Sequence, residues 1–309
     1  KILGFLEKSK IYHEKLTTFD GVIAMNTKVI EKLLELTGPI ALPEYRLEIS
    51  KDNFLREVQK EVEAGKDKQA GEPKRILKKL APQLFAELAS HASKKEFRQL
   101  LTELIRSKDI MIYIKDERLQ KYIALSGAAG EVKKTSGAFF GDYLAVVNAN
   151  IGGGKTDAVI KERIVLSSKI SAEGKIDNYL TIERTHEGKQ EKDPWYQVAN
   201  INYLTVLTPN GSAAEYASGF IPKNSPANSK IYLQKDWVTD QDLESIESTE
   251  EKIPLLAIAT LAEFGKTGFA GWTTIKKGQS QKTELQYTRV GPAIKDGATY
   301  NFIFEKQSG

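Results

Sequence analysis

A single change of hydrophobic period constrains this chain more than any other feature. Up to about residue 141 apolar side chains recur every three or four positions, and from Lys161 onward they alternate. Ile76, Leu80, Leu84 and Leu88 run beside Leu77, Ala81, Phe85 and Ala89. This predicts a helix with one wide buried face, kinked at Pro82. Further helices are expected through Val29–Leu36, stopped by Gly38 and Pro39, and through Phe54–Val62, Phe97–Ile105 and Arg118–Leu125. Short apolar runs at Phe19–Met25, Tyr45–Ile49 and Asp109–Ile114 read as strands between them. Strands alternating with helices predict an α/β domain.

Beyond Lys161 the runs are short and punctuated by turns. Ile164–Ser171 and Lys175–Thr185 flank Glu173-Gly174, and Tyr203–Leu207 ends at Pro209-Asn210-Gly211. Weaker strand candidates lie at Tyr216–Ile221 and Ile231–Trp237. Leu255–Phe264, Gly268–Ile275, Gln281–Arg289 and Thr299–Phe304 complete the set. Many short strands at regular spacing predict an antiparallel β-sandwich. The expected organisation is α+β: an α/β domain over residues 1–157 and a sandwich over 158–309.

The two regimes meet in Asp142–Asp157, DYLAVVNANIGGGKTD. Tyr143–Val147 is expected to be a buried strand of the first domain. Asn148, Asn150, Gly152, Gly153, Gly154, Lys155 and Asp157 are then expected to form a stiff junction, with asparagines bonding to local backbone and glycines turning sharply. Gly154-Lys155-Thr156 also matches the end of a phosphate-binding loop. That loop needs a helix after the lysine, and it needs a glycine where Ala149 stands. The run KERIVLSSKIS alternates like a strand instead, so the stretch is expected to bind no nucleotide.

Composition narrows the chemistry. Residues 1–150 hold 26 Lys and Arg against 21 Asp and Glu, and the remainder 19 against 20. That excess is too mild for a dedicated nucleic-acid binder, so no nucleic-acid partner is expected. The absence of cysteine excludes disulfides and thiol chemistry. It fits an exported protein, although cytosolic chains lack cysteine too. His13, His91 and His186 follow no metal spacing and read as surface residues, and no metal or cofactor is expected. Asp240, Asp242, Glu244, Glu247, Glu250 and Glu251 lack the pattern of a calcium loop and read as a solvated loop. No serine lies in a G-x-S-x-G setting. The chain opens at Lys1 within a helical pattern, which is read as a fragment whose upstream residues are missing.

Lys74, Arg75, Lys78 and Lys79 open a helix whose dipole favours anions at that end. Two readings remain: a bound anion between these side chains and the helix start, or a solvated polar face opposite Ile76, Leu77 and Leu80.

The segments DGVIAMNTKVIEKLLELTGPI, NANIGGGKTD, INYLTVLTPNGS and YNFIFEKQSG, in that order, resemble domain-of-unknown-function family 4012. The resemblance implies an extracytoplasmic bacterial or archaeal protein, anchored in a membrane by a helix preceding this fragment. The element order in residues 19–125 is also similar to the LytR–CpsA–Psr family, which transfers lipid-linked glycopolymers to the cell wall. It implies a mixed sheet in the first domain and arginines that hold a pyrophosphate. Here Arg56 stands alone among Glu57, Glu61 and Glu63, with Arg75 as a possible second. The resulting expectation is a cell-envelope surface protein with a binding or structural role. Its partners would be an anionic glycan or lipid of the envelope, or other surface proteins. A phosphotransferase acting on lipid-linked anionic glycopolymers is the alternative.

Overall fold

Helices form where the period is near 3.6 and strands where it is two. A computed structural model describes residues 2–9, 12, 14, 15, 17–135, 139–222, 240–293, 297 and 299–308. The fold is mixed α/β with several sheets, antiparallel ones among them. It divides into two compact units, Lys1–Glu131 with Ser308–Gly309, and Val132–Gln307.

In the first unit the main helices are Thr27–Thr37, Phe54–Ala64, Arg75–His91, Lys94–Arg106 and Glu117–Leu125. Their starts follow the chemistry of the sequence. Ser93 Oγ accepts from the Glu96 N–H at 3.2 Å, and the Glu96 carboxylate accepts from the Ser93 N–H at 3.1 Å. Asp116 accepts from the Leu119 N–H at 2.9 Å. Pro82 is accommodated inside Arg75–His91. The core gathers Val29, Leu33, Leu34, Phe54, Val58, Ile76, Leu80, Leu84 and Leu104 from these helices, with Ile40, Leu42, Ile49 and Ile110 from strands.

Strands β1 (Gly21–Met25) and β4 (Ile110–Ile114) pair antiparallel, as do β2 (Ile40–Leu42) and β3 (Leu47–Ile49). The expected mixed sheet is therefore corrected: among the described residues of this unit there are two separate two-stranded antiparallel sheets. Strands of three to five residues cannot serve as a hub. The helices supply most of the core instead.

The second unit holds β5 (Gly141–Asn150), β6 (Ile160–Ile170), β7 (Lys175–His186), β8 (Asn200–Pro209), β9 (Ala213–Ser218), β10 (Glu251–Ile253), β11 (Ile258–Glu263), β12 (Lys266–Ile275), β13 (Ser280–Val290) and β14 (Asn301–Glu305). One sheet runs β10-β11-β12-β8-β5-β14 and the other β6-β7-β13-β9. Both feed one core: Leu144, Val146, Leu204, Val206, Ile258 and Phe269 from the first, and Leu180, Ile182, Leu285 and Tyr287 from the second. Alternation puts Tyr143, Ala145 and Leu207 on the other face of the larger sheet, with Val132 and Ile303.

Three expectations change here. Tyr143–Val147 belongs to the second unit, because β5 pairs with β8 and β14, and the units divide at Glu131/Val132, not after Asp157. A ten-residue strand needs long neighbours, and none occurs among the described residues of the first unit. Second, β14 pairs with β5 in parallel, so the larger sheet is not purely antiparallel. Third, the run Leu255–Phe264 is a turn followed by β11. The candidate Ile231–Trp237 lies outside the described residues.

The β2–β3 and β10–β11 hairpins share one device: a proline-led 3-10 turn followed by a left-handed residue, Arg46 or Ala257, each at φ 54°. That conformation costs an L-residue about 1–2 kcal/mol, whereas glycine loses roughly 0.5–1 kcal/mol through greater freedom when unfolded. Ala257→Gly is expected to raise stability by about 0.5 kcal/mol, against the usual sign of this substitution. A denaturant midpoint that moves down would refute the account.

Candidate functional site

The interior between the two larger sheets of the second unit is apolar at its centre and polar at both ends. At one end lies the glycine stretch, in the crossing from β5 to β6. Asn150 Oδ1 accepts from the Gly153 N–H at 2.9 Å, and Asn150 Nδ2 lies 3.4 Å from the Gly153 carbonyl and from Thr156 Oγ1. Thr156 Oγ1 donates to the Gly153 carbonyl at 2.6 Å. Asn200 Nδ2 donates to Thr156 Oγ1 at 3.0 Å and to Asp157 Oδ1 at 2.8 Å, and its oxygen accepts from Arg184 Nη1 at 3.2 Å. Arg184 Nε stands 3.4 Å from Glu162, which accepts from Asn148 Nδ2 at 2.9 Å, while Asn148 Oδ1 accepts from Asn202 at 2.9 Å. Thr156, Asn200, Asn202 and Arg184 are buried.

Asn150 bonds to the local backbone at Gly153 as expected, whereas the Asn148 side chain bonds to those of Glu162 and Asn202, and the network joins the two sheets inside one unit. Gly152 and Gly154 carry the positive φ, 91° and 60°. Gly153 lies outside that region and is needed for space, since a Cβ there would sit 2.3 Å from Asn150 Oδ1 and 2.7 Å from the Ile201 backbone nitrogen. The Lys155 N–H donates to the Trp195 carbonyl at 3.0 Å. A four-residue 3-10 turn, Thr156–Val159, leads straight into β6, so no helix faces the loop as a phosphate site requires.

His186 corrects the surface reading: it is fully buried. Its Nε2 donates to the Val198 carbonyl at 2.9 Å and its Nδ1 accepts from the Gly188 N–H at 3.1 Å, which fixes the neutral tautomer. His91 is exposed beside Glu87, and His13 lies outside the described residues. The acidic run is not all loop: Asp240 caps the helix Gln241–Glu247, with its side chain 3.3 Å from the Leu243 N–H. No group of three or more potential metal ligands occurs among the described residues.

At the opposite end Asp142 accepts from Asn178 Nδ2 at 2.9 Å and from Tyr300 at 3.2 Å, with Arg289 Nε at 3.7 Å. Burial, then Asp142, pushes the Tyr300 hydroxyl up to about 12. Burial also raises Tyr45, Tyr143, Tyr203 and Tyr287 above the ordinary value. Each favours the fold fully below pH 10, the unfolded value, and that contribution is lost as pH rises, for Tyr300 through about 12. The expected result is cooperative alkaline unfolding over this window. Tyrosinate absorbance should then appear in two steps, exposed rings first. A single step near pH 10 would contradict it.

The expected anion site at Arg56, Lys74, Arg75, Lys78 and Lys79 is only partly assembled. Arg56 lies exposed on the preceding helix, Phe54–Ala64. Lys74 and Lys78 are exposed at the start of Arg75–His91. Arg75 and Lys79 face carboxylates of the chain itself: Arg75 stands 3.9 Å from Glu44 and from Asp67, and Lys79 3.4 Å from Glu44. Asp67 is buried and accepts from the Tyr45 hydroxyl at 2.5 Å. Two of the cations are therefore already balanced.

Two clusters were not found from sequence. On the outer face of the larger sheet, Lys266 is buried, with Nζ 3.2 Å from Thr135 Oγ1 and 4.5 Å from the centre of the Tyr143 ring. Burial lowers its ammonium, and the nearby Glu305 opposes that shift. Glu305 accepts from the Tyr143 hydroxyl at 2.6 Å and the Lys133 N–H at 3.1 Å. The second cluster is an open hollow of about 720 Å³ along the helix Lys94–Arg106, bounded by Lys95, Arg98, Gln99, Thr102, Glu103 and Arg106 with Ser107. The spacing of Lys95, Arg98, Thr102 and Arg106 at three- and four-residue intervals was the signal available. Set beside known proteins, the chain matches no family model, no curated protein and no solved structure.

Proposed function

We propose that this chain is part of an extracytoplasmic cell-envelope surface protein whose role is binding or structural. The two compact units are then two domains, the first similar in element order to the LytR–CpsA–Psr family and the second a β-sandwich. One observation carries the preference for binding over catalysis: the groups best suited to chemistry are committed internally. Arg75 and Lys79 are matched by Glu44 and Asp67, Lys266 is buried, and His186 is held through both ring nitrogens. A transferase would need arginines free to grip a pyrophosphate, and Arg75 is balanced here. The polar networks at both ends of the sandwich suit a stiff module that presents a surface.

Export rests on the family resemblance and the cysteine-free composition. No helix among the described residues is long and apolar enough to cross a membrane, and the proposed anchor rests on the family resemblance alone. The test uses the full-length protein in intact cells. External protease is expected to degrade the region of this chain without lysis. Degradation only after lysis would overturn the reading.

A further inference from the structure

We propose that the outward face of the helix Lys94–Arg106 is a docking surface for a linear polyphosphate-type anion, a chain of repeating phosphate groups read by charge. This deepens the binding role proposed above without depending on export.

The helix is divided cleanly. Leu104 is buried in the core, with Leu100, Leu101 and Ile105 packed against it. Lys95, Arg98, Gln99, Thr102 and Arg106 lie on the solvent side and bound the hollow. Neither Arg98 nor Arg106 makes an ion pair among the described residues. Their situation differs from that of Arg75 and Lys79, which face Glu44 and Asp67. The carboxylate bordering the hollow, Glu103, stands 3.8 Å from Lys32. The face is therefore a net positive strip with two guanidinium forks that can each hold two phosphate oxygens.

Spacing selects the shape of the ligand. At 1.5 Å rise per residue, Lys95 and Arg98 are about 4.5 Å apart along the axis, and Arg98 and Arg106 about 12 Å. One phosphate ion reaches the first pair but not the third cation. A chain of phosphates meets all three, with Gln99 lying between them. Among the described residues the hollow is bordered by no aromatic ring, and single-stranded nucleic acids depend on such rings for base stacking. Charge along a line is what the surface offers.

Titration with inorganic polyphosphate, orthophosphate and duplex DNA in parallel tests this. Polyphosphate is expected to bind in the micromolar range at about 50 mM salt. Three neutralised phosphates give a log–log slope of about −2, so binding should weaken roughly 16-fold at about 200 mM. Arg98→Glu with Arg106→Glu should weaken it by at least about 30-fold. Lys74→Glu with Lys78→Glu, on the neighbouring helix, should leave it within about 2-fold. All four side chains are exposed, so melting curves of both variants should match that of the parent. No polyphosphate binding, or equal binding by the Arg98/Arg106 variant, overturns the proposal. Orthophosphate binding as tightly would reduce the face to a single-ion site, and tighter binding of DNA would make the partner a nucleic acid. Either result also overturns it. None of these outcomes bears on protease access in intact cells.

Discussion

Glu305→Ala is expected to cost about 3–5 kcal/mol, because it strands the Tyr143 hydroxyl and the Lys133 N–H, at roughly 1–3 kcal/mol for each unsatisfied group, and removes a charge that favours the Lys266 ammonium. Glu305 accepts from Tyr143 and from the Lys133 N–H, and its charge opposes the lowering that burial imposes on the Lys266 ammonium. Lys266→Met should be milder, about 1.5 kcal/mol or less, because a similar volume replaces a cation that burial already disfavours. The double variant should recover much of the loss from Glu305→Ala.

The pH dependence gives a second reading of the same site. Burial lowers Lys266 from 10.5. Between the folded value and 10.5 the unfolded chain holds more protons, so this group's contribution rises with pH and is lost as pH falls. Without Glu305 the folded value drops further and the window widens downward. Denaturant melts of Glu305→Ala at about pH 8 and pH 10 should show a steeper rise than the parent. Equal slopes would mean that Glu305 does not compensate Lys266.

Local patterns were legible in the sequence wherever a few neighbouring residues decide the structure. The helix Arg75–His91 and the hairpin at Glu173-Gly174 both follow from spacing between near neighbours in the sequence. Partner choice was not legible. The strand β5 reads the same whether it pairs inside the first unit or with β8 and β14, because its apolar run specifies burial but not neighbours. The parallel pairing of β14 with β5 joins residues far apart in sequence, which no short window contains.

The candidate sites divide the same way. The turn from Asn150 to Gly153 was readable because its bonds span three residues. The cations at Arg75 and Lys79 read as an anion site because Glu44 sits in a hairpin and Asp67 in a separate short helix, Lys66–Gln69. Periodicity exposes a charged stripe but does not say which opposing charge folds onto it. The stripe of Lys95, Arg98 and Arg106 has the same sequence signature, and there the hollow stays open.

Gly153→Val is expected to be nearly as damaging as the loss of Glu305, for a reason different from backbone strain. The added carbon would lie 2.3 Å from Asn150 Oδ1, 2.7 Å from the Ile201 backbone nitrogen and 3.0 Å from the Ala199 carbonyl oxygen. Two of these atoms are backbone at the start of β8 and cannot yield cheaply. The third is the acceptor that holds the turn. Overpacking of this kind costs about 1–3 kcal/mol, and a stranded buried polar group adds roughly 1–3 kcal/mol. The expected total is about 3–4 kcal/mol. Moving Asn150 also disturbs Thr156, and through it Asn200 and Arg184. Gly153→Ala should then show most of the same loss, since the first carbon makes the clash. Gly152→Ala meets no atom within 4 Å and carries only the cost of φ 91°, about 1–2 kcal/mol. If denaturant melts rank Gly152→Ala as more harmful than Gly153→Ala, conformational freedom and not space is what this turn requires of its glycines.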